Sequence, residues 1–194
     1  MFPYQVVLVD CVYLPSVNVY VTGMLLEIGL LRASSEGRVL GKYTTLINVN
    51  VLPGTDLACW LSDNDYDMAD LLSGNKVDEG ILEVFEFIGR DHLIFWQGVG
   101  ILHLVQQVSK IPGYTDKALG LYHRGCICLK SYLSGMMQRK VSSKLNKELS
   151  EVQVCEGRTC LDRCQNMLRL IELYTEIKES EDESADTKYE LYEV

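Results

Sequence analysis

From Val6 to Val12 every residue except Asp10 is apolar, within the run YQVVLVDCV. A strand with one wet face alternates polar and apolar side chains. A continuous Val-rich run instead reads as a central strand covered on both faces. That requirement commits the chain to a layered α/β architecture with helices above and below a sheet. It also sets one carboxylate, Asp10, near the end of the most buried strand.

The rest of the chain supplies the layers. VYLPSVNVYVTG, with Pro15 and Asn18, reads as a turn or loop, and Gly23 to Ser34 as a second strand. Ser34 to Arg38 is a hairpin turn signal in which Gly37 can take positive φ. Val39 to Val49 alternates and carries β-branched residues, the pattern of a returning strand, which Val51 to Asp56 breaks. Residues 57–75 are loop-rich with short helical possibilities. Val77 to Gly89 places Ile81, Leu82, Val84, Phe85 and Ile88 on one helical face and ends at a glycine. His92 to Gly98 reads as a short buried strand. Gly100 to Lys110 and residues 124–139 read as helices. The order β–β–β–α–β–α–α predicts a mixed sheet flanked by helices.

A long helical pattern follows from Ser143 to Lys178, with Cys160, Cys164, Leu168, Ile171 and Tyr174 at three- and four-residue spacing. It predicts an amphipathic helix that either folds back on the body or docks on a partner. The last stretch is too polar to pack and is expected to be disordered. The expected divisions are an α/β domain over 1–140, a C-terminal amphipathic helical region over 141–178 and an acidic tail over 179–194.

The net charge of −9 is uneven. The last sixteen residues hold seven acids and one base, which leaves the body at −3. No basic stripe of the kind that tracks a phosphate backbone is present, so charge disfavours nucleic acid as a partner. No stretch approaches the roughly 20 apolar residues that span a bilayer, and the start lacks a signal-peptide pattern. Seven cysteines without a disulfide-scaffold spacing suit a reducing, cytoplasmic setting.

The strand with Asp10, LLEIG (Leu25 to Gly29), EGRVLGKYTTLIN (Glu36 to Asn48), EVFEFIGRDHLIFWQGVGI (Glu83 to Ile101) and YHRGCICLKSYL (Tyr122 to Leu133) occur in an order that resembles the DEDDh 3′–5′ exonucleases. That family includes the epsilon proofreading subunit of bacterial DNA polymerase III. The resemblance covers about residues 4–138. It implies an RNase H-like (DnaQ-like) fold, here with an added C-terminal helix and acidic tail.

The family's chemistry needs two divalent ions about 3.5–4 Å apart, which activate water and stabilise the leaving oxygen. Mg²⁺ wants carboxylate oxygens for this. The family supplies an Asp-x-Glu pair on the first strand, an Asp after the fourth, and a His-x4-Asp from the closing helix region. The resemblance puts Asp10 at the first acid and His123 at the general base. Val12, Ile101 and Cys128 stand at the other three acidic positions. One carboxylate cannot hold two Mg²⁺ ions, so the expectation is a catalytically inactive pseudoenzyme without a cofactor, acting as a protein-interaction or scaffold module. The protein partner is expected through 143–178.

Other readings stay open. A true 3′–5′ exonuclease or epsilon-like proofreading subunit would use Mg²⁺ or Mn²⁺. It would need replacement acids, for which Asp63, Asp65, Asp67 and Asp70 in the long loop are candidates. A pseudo-nuclease could bind nucleic acid without cutting it. Glu27, in the family's EIG element, reads as structural. With His123, Cys126 and Cys128 it also forms a formal zinc set, although cysteines two apart on a regular helix point about 200° apart.

Overall fold

The computed structural model describes residues 4–14, 24–48, 56–96, 99–123, 126–137 and 158–190. Five strands form one mixed sheet in the order β3-β2-β1-β4-β5. They are β1 (Val6–Tyr13), β2 (Leu25–Ala33), β3 (Val39–Leu46), β4 (His92–Phe95) and β5 (Ile127–Cys128). β1 lies between antiparallel β2 and parallel β4, and so has a neighbour on each edge. β2 and β3 are antiparallel, joined by the expected tight turn. There Gly37 has φ 85° and Ser34 Oγ accepts from the backbone N–H groups of Glu36 and Arg38. β5 runs parallel to β4.

Seven helices are described: α1 (Asp56–Asp63), α2 (Met68–Leu72), α3 (Val77–Ile88), α4 (Val99–Ser109), α5 (Thr115–His123), α6 (Leu129–Met137) and α7 (Cys160–Glu190). Strand alternation sorts the core into two layers. Val7 and Val9 face the layer of α3, α4 and α5, packing with Ile81, Ile88, Leu104 and Leu121. Val6 and Leu8 face the layer of α6 and α7, packing with Leu133, Cys164, Met167 and Ile171. A smaller cluster gathers Leu14, Leu26, Leu61 and Leu71, with Val12 against it. The apolar run is therefore covered on both faces, as its composition requires.

Three expectations need adjustment. Residues 124–139 are not one helix: Ile127 and Cys128 pair with Ile94 and Phe95 as β5, and the helix starts at Leu129. A two-residue strand has no periodicity to read, and only its neighbour creates it. Thr115–His123 is a further helix, α5. The long C-terminal pattern folds back on the body, and its helix continues through Glu190 into the stretch expected to be disordered. A helix already nucleated and docked extends cheaply through Glu, Ala and Lys, which favour helix. Residues 141–157, the first part of the expected C-terminal region, lie outside the described residues, as do 191–194.

Candidate functional site

Asp10 follows Val6 and Leu8 on the same face of β1, so its side chain points into the α7 layer. On β2 its partner is Gly29, while Val12 is paired with Glu27. Two carboxylates therefore sit diagonally on one sheet face, with a glycine between them on β2.

The start of α7 closes over this bay. Thr159 and Asp162 form a reciprocal cap: Thr159 N–H donates to Asp162 Oδ2 (3.0 Å) and Asp162 N–H to Thr159 Oγ1 (3.1 Å). Hydrogen bonds from the Thr159 backbone and then its hydroxyl hold the Asp162 carboxyl below its usual range. Cys160 N–H donates to Glu27 Oε1 at 2.9 Å, so a buried carboxylate meets the positive end of the helix. Tyr66 O–H donates to the other oxygen, Glu27 Oε2, at 2.8 Å. One turn further, Arg163 Nε donates to Asp10 Oδ2 at 2.6 Å. The two side chains are 17% and 20% exposed, so solvent screens this pair little.

Burial alone would lower the Arg163 pKa. The Asp10 charge and its hydrogen bond, joined by Cys160 and Glu27, together outweigh this and hold the guanidinium above its ordinary value. Burial, reinforced by the Asp10 charge, pushes up the thiols of Cys160 and Cys164. Both act as small apolar groups with weak donors, Cys160 Sγ toward Glu27 O and Cys164 Sγ toward Gly29 O.

The sequence-derived candidates scatter. His123 ends α5, which packs in the opposite layer, and it is exposed. Cys126 Sγ donates to Leu121 O, and Cys128 Sγ to Trp96 O. Cys128 is on β5, not on the helix that covers Asp10. The residue that meets Asp10 from that helix is Arg163. Val12 packs in the small apolar cluster, and Ile101 falls in the first turn of α4.

The formal zinc set is not assembled. Glu27 on β2 is separated from Cys128 on β5 by β1 and β4, about 14 Å at ordinary strand spacing. The long loop does reach the site, but what it delivers is the phenol of Tyr66. Asp63, Asp65, Asp67 and Asp70 are exposed, and Asp67 caps α2 by accepting from Ala69 N–H. Among the described residues no three His, Cys, Asp or Glu side chains gather so as to hold a metal ion. Nor do the residues at the bay fit a two-Mg²⁺ centre. Asp10 is taken by a guanidinium, Glu27 accepts two hydrogen bonds, and Val12 offers no oxygen.

Arg163 and Tyr66 were missed by sequence reasoning, and Cys160 was read only as part of an apolar helix face. The Thr159-Cys160-Leu161-Asp162 capping pattern is a local signal for the helix start, but nothing local marks Arg163 as the partner of Asp10.

The fold is that of the DEDDh 3′-exonucleases, an RNase H-like mixed sheet with flanking helices. No family model matches the sequence, and no curated protein does. Solved structures do match. One is a 3′-exonuclease determined for 3′-end specific recognition of histone mRNA stem-loop (TM-score 0.62, 11% identity, 94% of this chain and 84% of that one). Another is the nuclease domain of 3′hExo, a DEDDh family member bound to rAMP (TM-score 0.58, 13% identity, 93% and 94%). A third is cell-death related nuclease 4, CRN-4 (TM-score 0.61, 11% identity, 86% of this chain). The chain spans 62% of that last protein's length. At such identities the likeness establishes the fold.

Proposed function

We propose that this chain keeps an exonuclease fold without metal-dependent phosphodiester cleavage and acts as a binding or scaffold module. The observation that carries this reading is the Arg163–Asp10 ion pair at 2.6 Å. The one acid matching the first position of the family motif holds a permanent cation supplied by the chain itself. A guanidinium in contact with that carboxylate repels a divalent ion and offers it no oxygen. Val12, Ile101 and Cys128 at the other expected acid positions offer no carboxylate, and Arg163 occupies the one that remains, so the site lacks the ligands that two hard cations need. The fold is shared with nucleases that do cleave, and function follows the site, not the fold.

The test is incubation of the pure protein with labelled single-stranded DNA and RNA in Mg²⁺ or Mn²⁺. No shortening is expected. Shortening that vanishes in Asp10→Ala would overturn the proposal.

A partner would be met on the outer face of α7, because its apolar face from Cys160 to Ile171 is used against the chain's own sheet. Gln165, Arg169 and Glu176 are exposed there. Reversing charge at Arg169 and Glu176 should weaken co-purification of any protein that docks on α7 and leave melting unchanged. The buried free thiols of Cys160 and Cys164 suit a reducing compartment such as the cytoplasm. No described helix is long and apolar enough to cross a membrane.

A further inference from the structure

We infer that Arg163 is a built-in substitute for a bound cation, and that it fastens the first turn of α7 over the Asp10–Glu27 bay without any divalent ion. Asp10 pairs with Gly29, and Glu27 is two residues away on the same strand. A diagonal pair of this kind lies about 7–8 Å apart. Two carboxylates so placed under a helix need a counter-charge, because burial removes the water that would otherwise screen them.

One helical turn of α7 supplies that charge and the remaining contact. Cys160 N–H serves Glu27, and three residues on the guanidinium serves Asp10. Arg163 Nη2 also reaches Cys160 Sγ at 3.3 Å, which ties the turn to itself. Gly29 makes the approach possible: a Cβ there would lie 2.5 Å from backbone atoms of Cys160 and Leu161. The tethered cation is permanently charged and planar, and its occupancy does not depend on ion concentration. Arg163 is thus a positioning residue for α7. The inference deepens the reading of a non-cleaving site.

Thermal melting of the full chain in EDTA and in Mn²⁺ tests it, with Arg163→Met, Asp10→Asn and the double variant. The wild-type midpoint should be the same in both media. Arg163→Met should melt about 5–10 °C lower in EDTA, the loss expected when one partner of a largely buried pair is removed from a chain of this size. Mn²⁺ should recover part of that loss, since Asp10 then has only the metal as counter-ion. It should recover none in the double variant. The double variant should melt at or near Asp10→Asn, because it no longer buries a guanidinium that has lost its carboxylate. That comparison stands even if Arg163→Met does not fold. A wild-type midpoint that moves with EDTA or Mn²⁺, or a double variant that melts well below Asp10→Asn, would overturn the inference. Mg²⁺-dependent shortening of a nucleic acid would instead overturn the reading of a non-cleaving site, so the two fail separately.

Discussion

Gly29→Ala adds one methyl group at the point where α7 crosses β2. The new carbon would sit 2.5 Å from Cys160 C and Leu161 N and 2.6 Å from Cys160 Cβ. Ordinary carbon contacts begin about 1 Å farther out. Two of the three atoms it meets are backbone, so no side-chain rotation relieves the clash, and the helix must lift. Lifting strains the bonds fastened there: Cys160 N–H to Glu27 (2.9 Å), Arg163 to Asp10 (2.6 Å) and Cys164 Sγ to Gly29 O (3.3 Å). Overpacking costs about 1–3 kcal/mol where side chains can adjust. Here backbone must move and charged hydrogen bonds stretch, so the expected loss is about 3–4 kcal/mol, adding part of one such bond at about 1.5–3 kcal/mol. That is a large share of a total stability on the order of 5–15 kcal/mol. Urea denaturation followed by circular dichroism would measure it, with Gly41→Ala as control. At Gly41 an added carbon meets only the ring edge of Phe87, at 3.5 Å. If Gly29→Ala loses less than about 1 kcal/mol, in the range of ordinary surface substitutions, then α7 does not cross β2 this closely.

Three further outcomes are expected. Glu27→Ala should cost about 3–6 kcal/mol by chemical denaturation, since it orphans the Tyr66 hydroxyl and the Cys160 N–H at about 1.5–3 kcal/mol each; Glu27→Gln, which can still accept one of the two, should fall between, and equal losses would discredit the account. Under native conditions iodoacetamide should modify exposed Cys59 first and leave Cys160 and Cys164 unlabelled, because burial both hides these thiols and raises their pKa; rapid labelling of Cys160, read by mass spectrometry, would contradict the docked helix. Burial, then the hydrogen bond to Glu83, pushes the Tyr43 phenol up to about 12 from 10.0. The folded state therefore favours its neutral form. This contribution to stability is whole below pH 10 and is lost as pH rises from 10 toward 12. Glu83→Gln should move the Tyr43 titration back toward 10, which ultraviolet difference titration against Tyr43→Phe would detect. An unchanged titration would show that Glu83 plays no part.

Much of the fold is legible along the chain because its signals are local. The Val-rich run marks β1, Gly37 marks the turn to β3, and Gly89, at φ 55°, ends α3 where the apolar periodicity ends. Two residues at Ile127 and Cys128 carry no such signal, and they become a strand only when β4 offers its edge. The candidate site is less legible for the same reason. Asp10 is a visible anomaly in an apolar strand. Its partner lies 153 positions away and bears no mark of that role until the helix is docked.

The sequence by itself determined that a doubly covered strand would carry a carboxylate into the interior, and that an apolar-faced helix would follow late in the chain. Burial patterns and helical periodicity are nearest-neighbour chemistry, readable without a fold. Only the tertiary structure decided what answers the carboxylate. Ion pairing requires atoms within a few ångströms, and that proximity exists only once α7 lies across Gly29 and brings Arg163 to Asp10.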